Sequence, residues 1–285
     1  MSNSIRNPRR SVRICIALSV LGTAAMIWGI WRMNSQGFET AATAISIAVG
    51  GLVALFGVLL AINFSWAARI MADMQAGRNL IAQWTVPPQL FDRFREADRA
   101  LRETEGYNDY GVPKRTAAEG VEVLVSRDAV MVGDIWFGLS KVGIARFDGV
   151  TYRPQDPPML VFDTVLTQAY SGTTFSTRNM RGVLRVPVAV DAADQAGIVL
   201  NHYRDVLAGR VRGKPGFYRR RIKLGLGAAV VGLIVFGLGF ALREVPGLDS
   251  NIPPGVAITG AMVGLGGLVL AVLAWMMDQK EGSGP

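Results

Sequence analysis

Side chains that commonly carry out catalysis are scarce in this 285-residue sequence, which contains one histidine and one cysteine. His202 falls in a predicted helix beside Tyr203, where a structural role is expected, and Cys15 lies in an apolar run. These two residues therefore form no predicted Cys–His nucleophile pair. One histidine and one cysteine are also too few for a zinc site of the usual ligand types. The sequence predicts neither a catalytic residue nor a metal site.

The acidic residues and the glycine-rich stretches also predict no catalytic or nucleotide-binding site. Four aspartates lie in or beside predicted strands, where turn formation and solvation account for them, and no pair has a spacing that requires general acid–base catalysis. They are Asp134, Asp148, Asp156 and Asp163. The phosphate-binding pattern Gly-x-x-x-x-Gly-Lys-Ser/Thr is absent, so nucleotide binding is not predicted. We expect no cofactor and no enzymatic activity.

The strongest local signal is a basic segment that includes the aromatic residues Phe217 and Tyr218. Basic residues beside an apolar run are typical of the cytoplasmic flank of a membrane helix. Each one near an anionic leaflet contributes about 1 kcal/mol, so the segment is predicted to lie against lipid headgroups. Specific binding of lipid or of an acidic partner is the alternative; nucleic acid is not expected, because the charge lies against the bilayer. The basic residues are Arg210, Arg212, Lys214, Arg219, Arg220, Arg221 and Lys223.

The composition identifies the setting of this segment. Half of the residues are hydrophobic, 18% are charged and the mean hydropathy is +0.29, which excludes an ordinary soluble enzyme. The apolar residues form four uncharged runs, each long enough to cross a bilayer core of about 30 Å. The predicted spans are residues 14–31, 41–68, 224–242 and 256–277. Because these runs contain no Asp, Glu, Lys, Arg or His, they do not indicate a proton relay or an ion-coupled carrier.

Small residues within the spans predict close helix packing. Gly232 in the third span, and Gly260 and Gly264 in the fourth, have the spacing that lets helix backbones approach each other. Packing within the chain is the expected use. A dimerisation face or a pore-lining helix is the alternative.

The distribution of basic residues predicts the topology. Arginines precede the first span with no acidic residue among them, and residues 69–223 contain 23 basic and 17 acidic residues. Since short basic flanks stay in the cytoplasm, both termini and the middle segment are predicted to be cytoplasmic, in a bacterial inner membrane. A cleaved signal peptide is the alternative for the first span, but the apolar run continues to Trp31.

The middle segment begins with helical patterns. Residues 69–84 are predicted to carry the second span out of the membrane as a helix. After Pro88, apolar residues spaced at about 3.6 predict an amphipathic helix. Its apolar face consists of Leu90, Phe91, Phe94, Ala97 and Leu101. Residues 106–120 are predicted to form a loop.

From Val121 the apolar period changes to two, which predicts a series of short strands. Their predicted bounds are 121–126, 129–134, 135–140, 143–147, 150–153, 159–168, 173–177 and 183–190. Asp148 and Gly149 are predicted to form a turn, and Arg181 and Gly182 to precede a separate strand. Asp191 is predicted to begin a final helix, whose Val199, Leu200 and Tyr203 face the sheet.

This order resembles the bacterial pleckstrin-homology-like (PH-like) domains of multi-span membrane proteins. The resemblance covers about residues 121–209 and rests on three stretches: the strand, turn and strand of 123–130, the triplet 147–149, and the strand 182–188 that leads into the helix from Asp191. It implies an antiparallel sheet packed against a C-terminal helix. It also implies a scaffold for oligomerisation and protein contacts.

Together these features predict an α-helical membrane protein with four transmembrane helices in two hairpins and an inserted α+β cytoplasmic domain. The expected function is a non-catalytic inner-membrane assembly, scaffold or regulatory subunit, with anionic lipids and a membrane protein or a second copy as partners. An oligomeric channel or transport component is the second hypothesis, and an enzyme acting on lipid is the third. The predicted parts are a hairpin (1–68), a helical arm and loop (69–120), a PH-like domain (121–209), a basic linker (210–223), a second hairpin (224–277) and a tail (278–285).

Overall fold

The computed structural model describes residues 7–36, 41–143, 145–171, 175–212, 216–245 and 252–282. The helices are α1 (Pro8–Gln36), α2 (Ala41–Gln75), α3 (Pro88–Glu105), α4 (Ala193–Leu207), α5 (Phe217–Ala241) and α6 (Ile252–Gly282). The strands are β1 (Leu80–Val86), β2 (Val121–Ser126), β3 (Ala129–Val132), β4 (Ile135–Gly138), β5 (Ala145–Arg153), β6 (Met159–Ser171) and β7 (Phe175–Pro187).

Four helices, α1, α2, α5 and α6, are long and apolar enough to cross a membrane. They form two hairpin pairs, α1 with α2 and α5 with α6. The chain is therefore a multi-pass membrane protein with four candidate spans and an inserted α+β domain. It divides into two compact units, residues 1–140 with 144–205 and residues 141–143 with 206–285.

The α+β domain contains two antiparallel sheets. One has the strand order β1-β2-β3-β4, and the other has the order β5-β6-β7. In both sheets, strands that are neighbours in space are also consecutive in the chain. The connection between β1 and β2 contains α3. The two sheets are linked where the buried indole N–H of Trp84 in β1 donates to the carbonyl of Pro187 in β7 at 3.0 Å.

Within residues 69–120, the prediction is correct for α3 and for the continuation of the second span as far as Gln75, and wrong from Leu80 to Trp84. Helix α2 ends at Gln75, and the chain then forms β1, which pairs with β2. The pattern of residues 69–84 was ambiguous because β1 is only seven residues long and contains few polar residues. The sheet domain therefore begins at Leu80 and not at Val121.

Two predicted breaks in the sheet are also wrong. Asp148 and Gly149 do not reverse the chain; they lie within β5, where the pairing with β6 shifts register between Phe147 and Gly149. Such a β-bulge accommodates an extra residue without ending the strand. Likewise, Arg181 and Gly182 lie inside the continuous strand β7.

Helix α4 packs against both sheets through Tyr203. Its ring contacts Phe147 of β5 and Phe162 of β6, with centroids 5.4 and 5.2 Å apart, and its hydroxyl donates to the carbonyl of Ser126 in β2 at 2.9 Å. Val199 is also buried, whereas Leu200 is half-buried, so the expectation that Leu200 faces the sheet core is wrong. One turn of this helix thus closes the space between the sheets.

Candidate functional site

The surface that joins the membrane hairpin to the sheet domain is the first candidate site. The last two turns of α2 pack against the β1-β2-β3-β4 sheet in one cluster of buried residues. We call this cluster the helix–sheet junction; it comprises Ala67, Met71, Met74, Leu124, Ala129, Met131 and Trp136. Trp66, Ile70 and Leu80 pack around it.

The length of α2 explains how this contact forms. The helix has 35 residues, and a bilayer core needs about 20. Its first charged residue is Arg69, so the uncharged part is the candidate membrane span and the remaining turns extend beyond it. Unbroken helix therefore runs from the membrane directly into the sheet domain.

The junction is strongly apolar. The side chains of Met71, Met74 and Met131 are at most 5% exposed. Burial of a methionine side chain contributes roughly 1.5–3 kcal/mol. Three such residues hold the sheet on the helix, and the unbranched thioethers fill the irregular space between a helix and a pleated surface. This contact fixes the orientation of the sheet domain relative to α2.

A buried polar cluster fixes α3 and the following loop to β7. The guanidinium of Arg185 in β7 donates to the carboxylate of Asp98 in α3 at 2.9 Å, and both side chains are at most 1% exposed. Asn108 donates to Asp98 at 2.9 Å and accepts from the backbone N–H of Arg185 at 3.0 Å. We call Asp98, Asn108 and Arg185 the Arg185 cluster.

Further contacts satisfy most of the remaining polar groups of this cluster. Arg185 donates to the carbonyl of Gly106 at 2.9 Å, and its Nε lies 3.6 Å from a carboxylate oxygen of Glu105. Because Arg185 has no exposed surface, it is not available to a ligand from solution. The cluster specifies the path of residues 98–110 along the edge of β7.

Two buried tyrosines lie in the same domain. Burial, with a smaller contribution from Asp128, raises the pKa of Tyr203 well above its ordinary value. Burial, with a smaller contribution from Asp134, raises the pKa of Tyr110 as well. Both phenols are therefore neutral hydrogen-bonding groups in the folded state, and neither is activated for proton transfer.

The structure places the predicted basic segment at the start of the second hairpin. Arg210 and Arg212 precede α5, and Arg212 forms an ion pair of 3.6 Å with Asp278 of α6. Within the first turns of α5, the guanidinium of Arg221 lies 4.3 Å from the centroid of Phe217. Arg219, Arg220 and Lys223 are exposed on the same helix, and Lys214 lies outside the described residues.

The predicted packing glycines lie between α5 and α6. A Cβ atom added to Gly232 would collide with the backbone of Gly264, and one added to Gly260 would collide with the backbone of Phe236. Gly225 and Gly239, one heptad either side of Gly232, make equally close approaches. The small residues thus form one seam between the two helices of this hairpin.

The structure does not bring His202 and Cys15 together. The Nε2 atom of His202 lies 3.0 Å from the carbonyl of Arg127, which attaches α4 to the β2–β3 turn. Cys15 is buried in the first hairpin. In the described ranges, no group of three or more His, Cys, Asp or Glu side chains is arranged to hold a metal ion.

Comparison with known proteins gives no family assignment. No protein family, curated protein or solved structure matches the chain.

Sequence reasoning missed both the helix–sheet junction and the Arg185 cluster. The signal for the junction was present, because Met71 and Met74 continue an apolar face of α2 beyond the first charged residue. Asp98 also falls on the buried face of α3, beside Leu90, Phe91 and Phe94, where an acidic residue needs a buried partner. Its partner, Arg185, is 87 positions away and is not indicated by any local pattern.

Proposed function

We propose that this chain is a non-catalytic assembly, scaffold or regulatory subunit of a bacterial inner membrane. In this proposal both termini and the middle domain are cytoplasmic, and the domain contacts a membrane protein or a second copy of the chain. The helix–sheet junction is the observation that carries the proposal. It holds the sheet domain in one orientation at the end of α2. A subunit that binds a partner through the surface of its domain needs such a fixed orientation.

The finer assignment of the domain as PH-like belongs to the same proposal. Four strands in one sheet, three in the other and a C-terminal helix packed between them support it. Helix α3 and its loop are an insertion between β1 and β2 in that arrangement. The exposed basic residues at the start of α5 support contact with anionic headgroups.

Gentle purification of the full chain tests the proposal. Cross-linking in cells, followed by extraction into a mild detergent and mass determination, should reveal a stoichiometric companion or a homo-oligomer. Replacing Met74 with Asp places an unpaired charge in the helix–sheet junction, which should detach the domain and abolish that association. Gln75→Asp is the matched control, because Gln75 is exposed one residue further along α2.

Two results would contradict the proposal. One is a strictly monomeric protein without a companion. The other is an ion or solute flux in reconstituted vesicles, or turnover of a lipid, that a single substitution abolishes; this would favour the channel or enzyme hypothesis instead.

A further inference from the structure

The sheets of this protein have four outer edges, and three are protected against pairing with another strand. Strand β1 has a register shift between Leu80 and Ala82, and the N–H of Gln83 donates to the side chain of Gln195 at 3.1 Å. Strand β4 has only four residues. Strand β5 contains the bulge at Asp148. Bulges, short length and covering groups are the usual means by which natural edges avoid further pairing.

The β7 edge lacks these protections along half of its length. Strand β7 has 13 residues and pairs with β6 in regular register throughout. Among the described residues, its outer edge is covered at one end only, where the N–H of Asp109 donates to the carbonyl of Val183 at 2.8 Å and Asn108 accepts from the N–H of Arg185 at 3.0 Å. The cover, formed by Asn108 of the Arg185 cluster and by the neighbouring Asp109, therefore extends along β7 only as far as Val183 within the described residues.

The uncovered part has a defined hydrogen-bonding pattern. Val183 and Arg185 direct their backbone groups to the outer edge, so every second residue before them does the same. These residues are Thr177, Asn179 and Arg181. Within the described ranges, no strand other than β6 pairs with β7 at these positions. We call residues 177–181 the open β7 edge.

Acidic residues lie only near the covered end of this edge among the described residues: Asp163 of β6 pairs with Val183, and the carboxylate of Asp109 accepts from the hydroxyl of Thr164 at 2.7 Å. The sequence contains no acidic residue from Thr164 to Gly182. Arg178 and Arg181 are both exposed and, being three positions apart, lie on opposite faces of the sheet. Arg146 of β5 shares the face of Arg181, because both pair with Val165 of β6. A strand added here would therefore meet an arginine on each of its faces.

We propose that the open β7 edge binds an extended acidic segment of a partner protein as an added β-strand. This inference rests on the proposed function, since it specifies how the domain contacts a partner. The backbone groups of Thr177, Asn179 and Arg181 supply the pairing, and the arginines select carboxylates. The cover from Asn108 and Asp109 sets one end of the site.

Other occupants match these features less well. Antiparallel pairing of two β7 edges would bring Arg178 and Arg181 of one copy close to those of the other, and like charges across neighbouring strands are destabilising. Lipid headgroups would satisfy the guanidinium groups, but they offer no alternating backbone donors and acceptors to the strand. An acidic strand offers carboxylates to the arginines and backbone donors and acceptors to the edge of β7.

A selection from random peptides tests the proposal. Full-length protein in lipid nanodiscs is the bait for a phage-displayed library of random peptides of about eight residues, an ordinary strand length. The counter-selection bait is Asn179→Pro, which removes one outward N–H at an edge position where proline is tolerated. We expect enrichment of sequences rich in Asp and Glu, with affinity that falls as salt is added.

Matched variants separate backbone pairing from charge. For the best peptide, Asn179→Pro and the double variant Arg178→Glu with Arg181→Glu should each weaken binding about tenfold in fluorescence anisotropy. Asn179→Ala, which keeps the N–H, and the double variant Arg99→Glu with Arg204→Glu, which makes the same charge change at exposed sites on α3 and α4, should bind as the parent protein does.

Several outcomes would overturn the inference. These are no enrichment over the Asn179→Pro bait, enrichment of neutral or basic peptides, or binding that persists in both site variants. A homodimer lost only in Asn179→Pro would assign the edge to a second copy. If a stoichiometric companion is still recovered from cells in any of these cases, the proposed function stands and only the binding site is wrong.

Discussion

Asp98 and Arg185 are 87 residues apart in the sequence, yet their side chains meet at 2.9 Å with no more than 1% of either exposed. This ion pair connects the buried face of α3 to the C-terminal part of β7. A buried pair of this kind adds little net stability relative to apolar residues, because both charges lose their hydration. We expect its effect to lie in specificity, because the pair forms when α3 and its loop follow this path along β7.

Removing one partner should therefore be costly. Asp98→Ala leaves the guanidinium of Arg185 buried without its closest counter-ion and with only Glu105, 3.6 Å from its Nε, as an acidic neighbour, and we expect it to destabilise the domain by about 3–5 kcal/mol. Denaturant unfolding of the detergent-solubilised protein, followed by tryptophan fluorescence, measures the change. Glu103→Ala on the exposed face of the same helix is the control and should change stability by less than about 0.5 kcal/mol.

Replacing both partners tests the origin of that cost. Asp98→Leu combined with Arg185→Met removes both charges and keeps apolar volume, so it should recover most of the stability that Asp98→Ala loses. If the double variant is as unstable as Asp98→Ala, hydrogen bonds to Asn108 and Gly106 contribute more than the burial of charge, and this account of the cluster is incorrect.

The hydroxyl of Tyr203 should make the domain sensitive to alkaline pH. In the unfolded chain this phenol loses its proton near pH 10, whereas burial raises its pKa in the folded state. Above pH 10 the unfolded state therefore binds fewer protons, and the free energy of unfolding falls as pH rises, by up to about 1.4 kcal/mol per pH unit for one such group.

Two phenylalanine variants isolate this contribution. Tyr203→Phe loses the hydrogen bond to the carbonyl of Ser126, which should lower the free energy of unfolding by about 0.5–1.5 kcal/mol at neutral pH. Above pH 10, the free energy of unfolding of this variant should fall less steeply with pH than that of the parent protein. Tyr107→Phe, which removes the hydroxyl of a tyrosine that is 74% exposed, is the matched control variant in the same measurement. Equal slopes for the parent protein and Tyr203→Phe would contradict the assignment.

The contrast between Val199 and Leu200 tests the position of α4. Val199 is fully buried, so Val199→Ala should cost about 2 kcal/mol through lost burial and the cavity that remains. Leu200 is half-buried, so Leu200→Ala should cost less than that although it removes more atoms. A larger loss for Leu200→Ala in the same unfolding measurement would mean that α4 is rotated from the arrangement described here.

The parts of the fold that were predictable are those with long or regular patterns. Uncharged apolar runs predicted four spans, and the 3.6-residue period predicted α3 and α4, because burial on one side imposes each pattern on the sequence. The strands β2, β3 and β4 were predicted from short apolar runs separated by turn residues; β3 is buried at every position and β2 at all but one.

The errors arose where local sequence permits two structures. Asp-Gly at 148–149 is a strong turn signal, but pairing with β6 on either side of the bulge keeps β5 extended. Pairing with β6 also keeps β7 extended through Gly182. The open β7 edge could not be anticipated, since it depends on where the cover from Asn108 and Asp109 ends, and that is set by the long-range contact with Arg185.

The glycine seam between α5 and α6 predicts a position-specific effect. Gly232→Ala forces apart two backbones that touch at this point, and we expect a loss of about 1–3 kcal/mol in the stability of the hairpin. Gly237→Ala, on the same helix, is the control, since nothing lies within 4 Å of an added Cβ there. Thermal inactivation and aggregation in detergent measure the difference; indistinguishable midpoints would exclude the seam as the main contact.

The last prediction concerns the side of the membrane on which the sheet domain lies. Basic residues flank the middle segment, so Ala193, exposed at the start of α4, should be cytoplasmic. Ser35 near the end of α1 and Glu244 just after α5 are also exposed and should face the opposite side. Single cysteines at these three positions, in a Cys15→Ser background, report the arrangement through a membrane-impermeant maleimide added to intact cells.

We expect labelling at positions 35 and 244 without permeabilisation and at position 193 only after it, because one candidate span, α2 or α5, separates each of the first two positions from the sheet domain. Labelling of position 193 in intact cells, with the other two protected, would place the domain outside the cytoplasm and would exclude the proposed contact of the basic segment with the cytoplasmic leaflet.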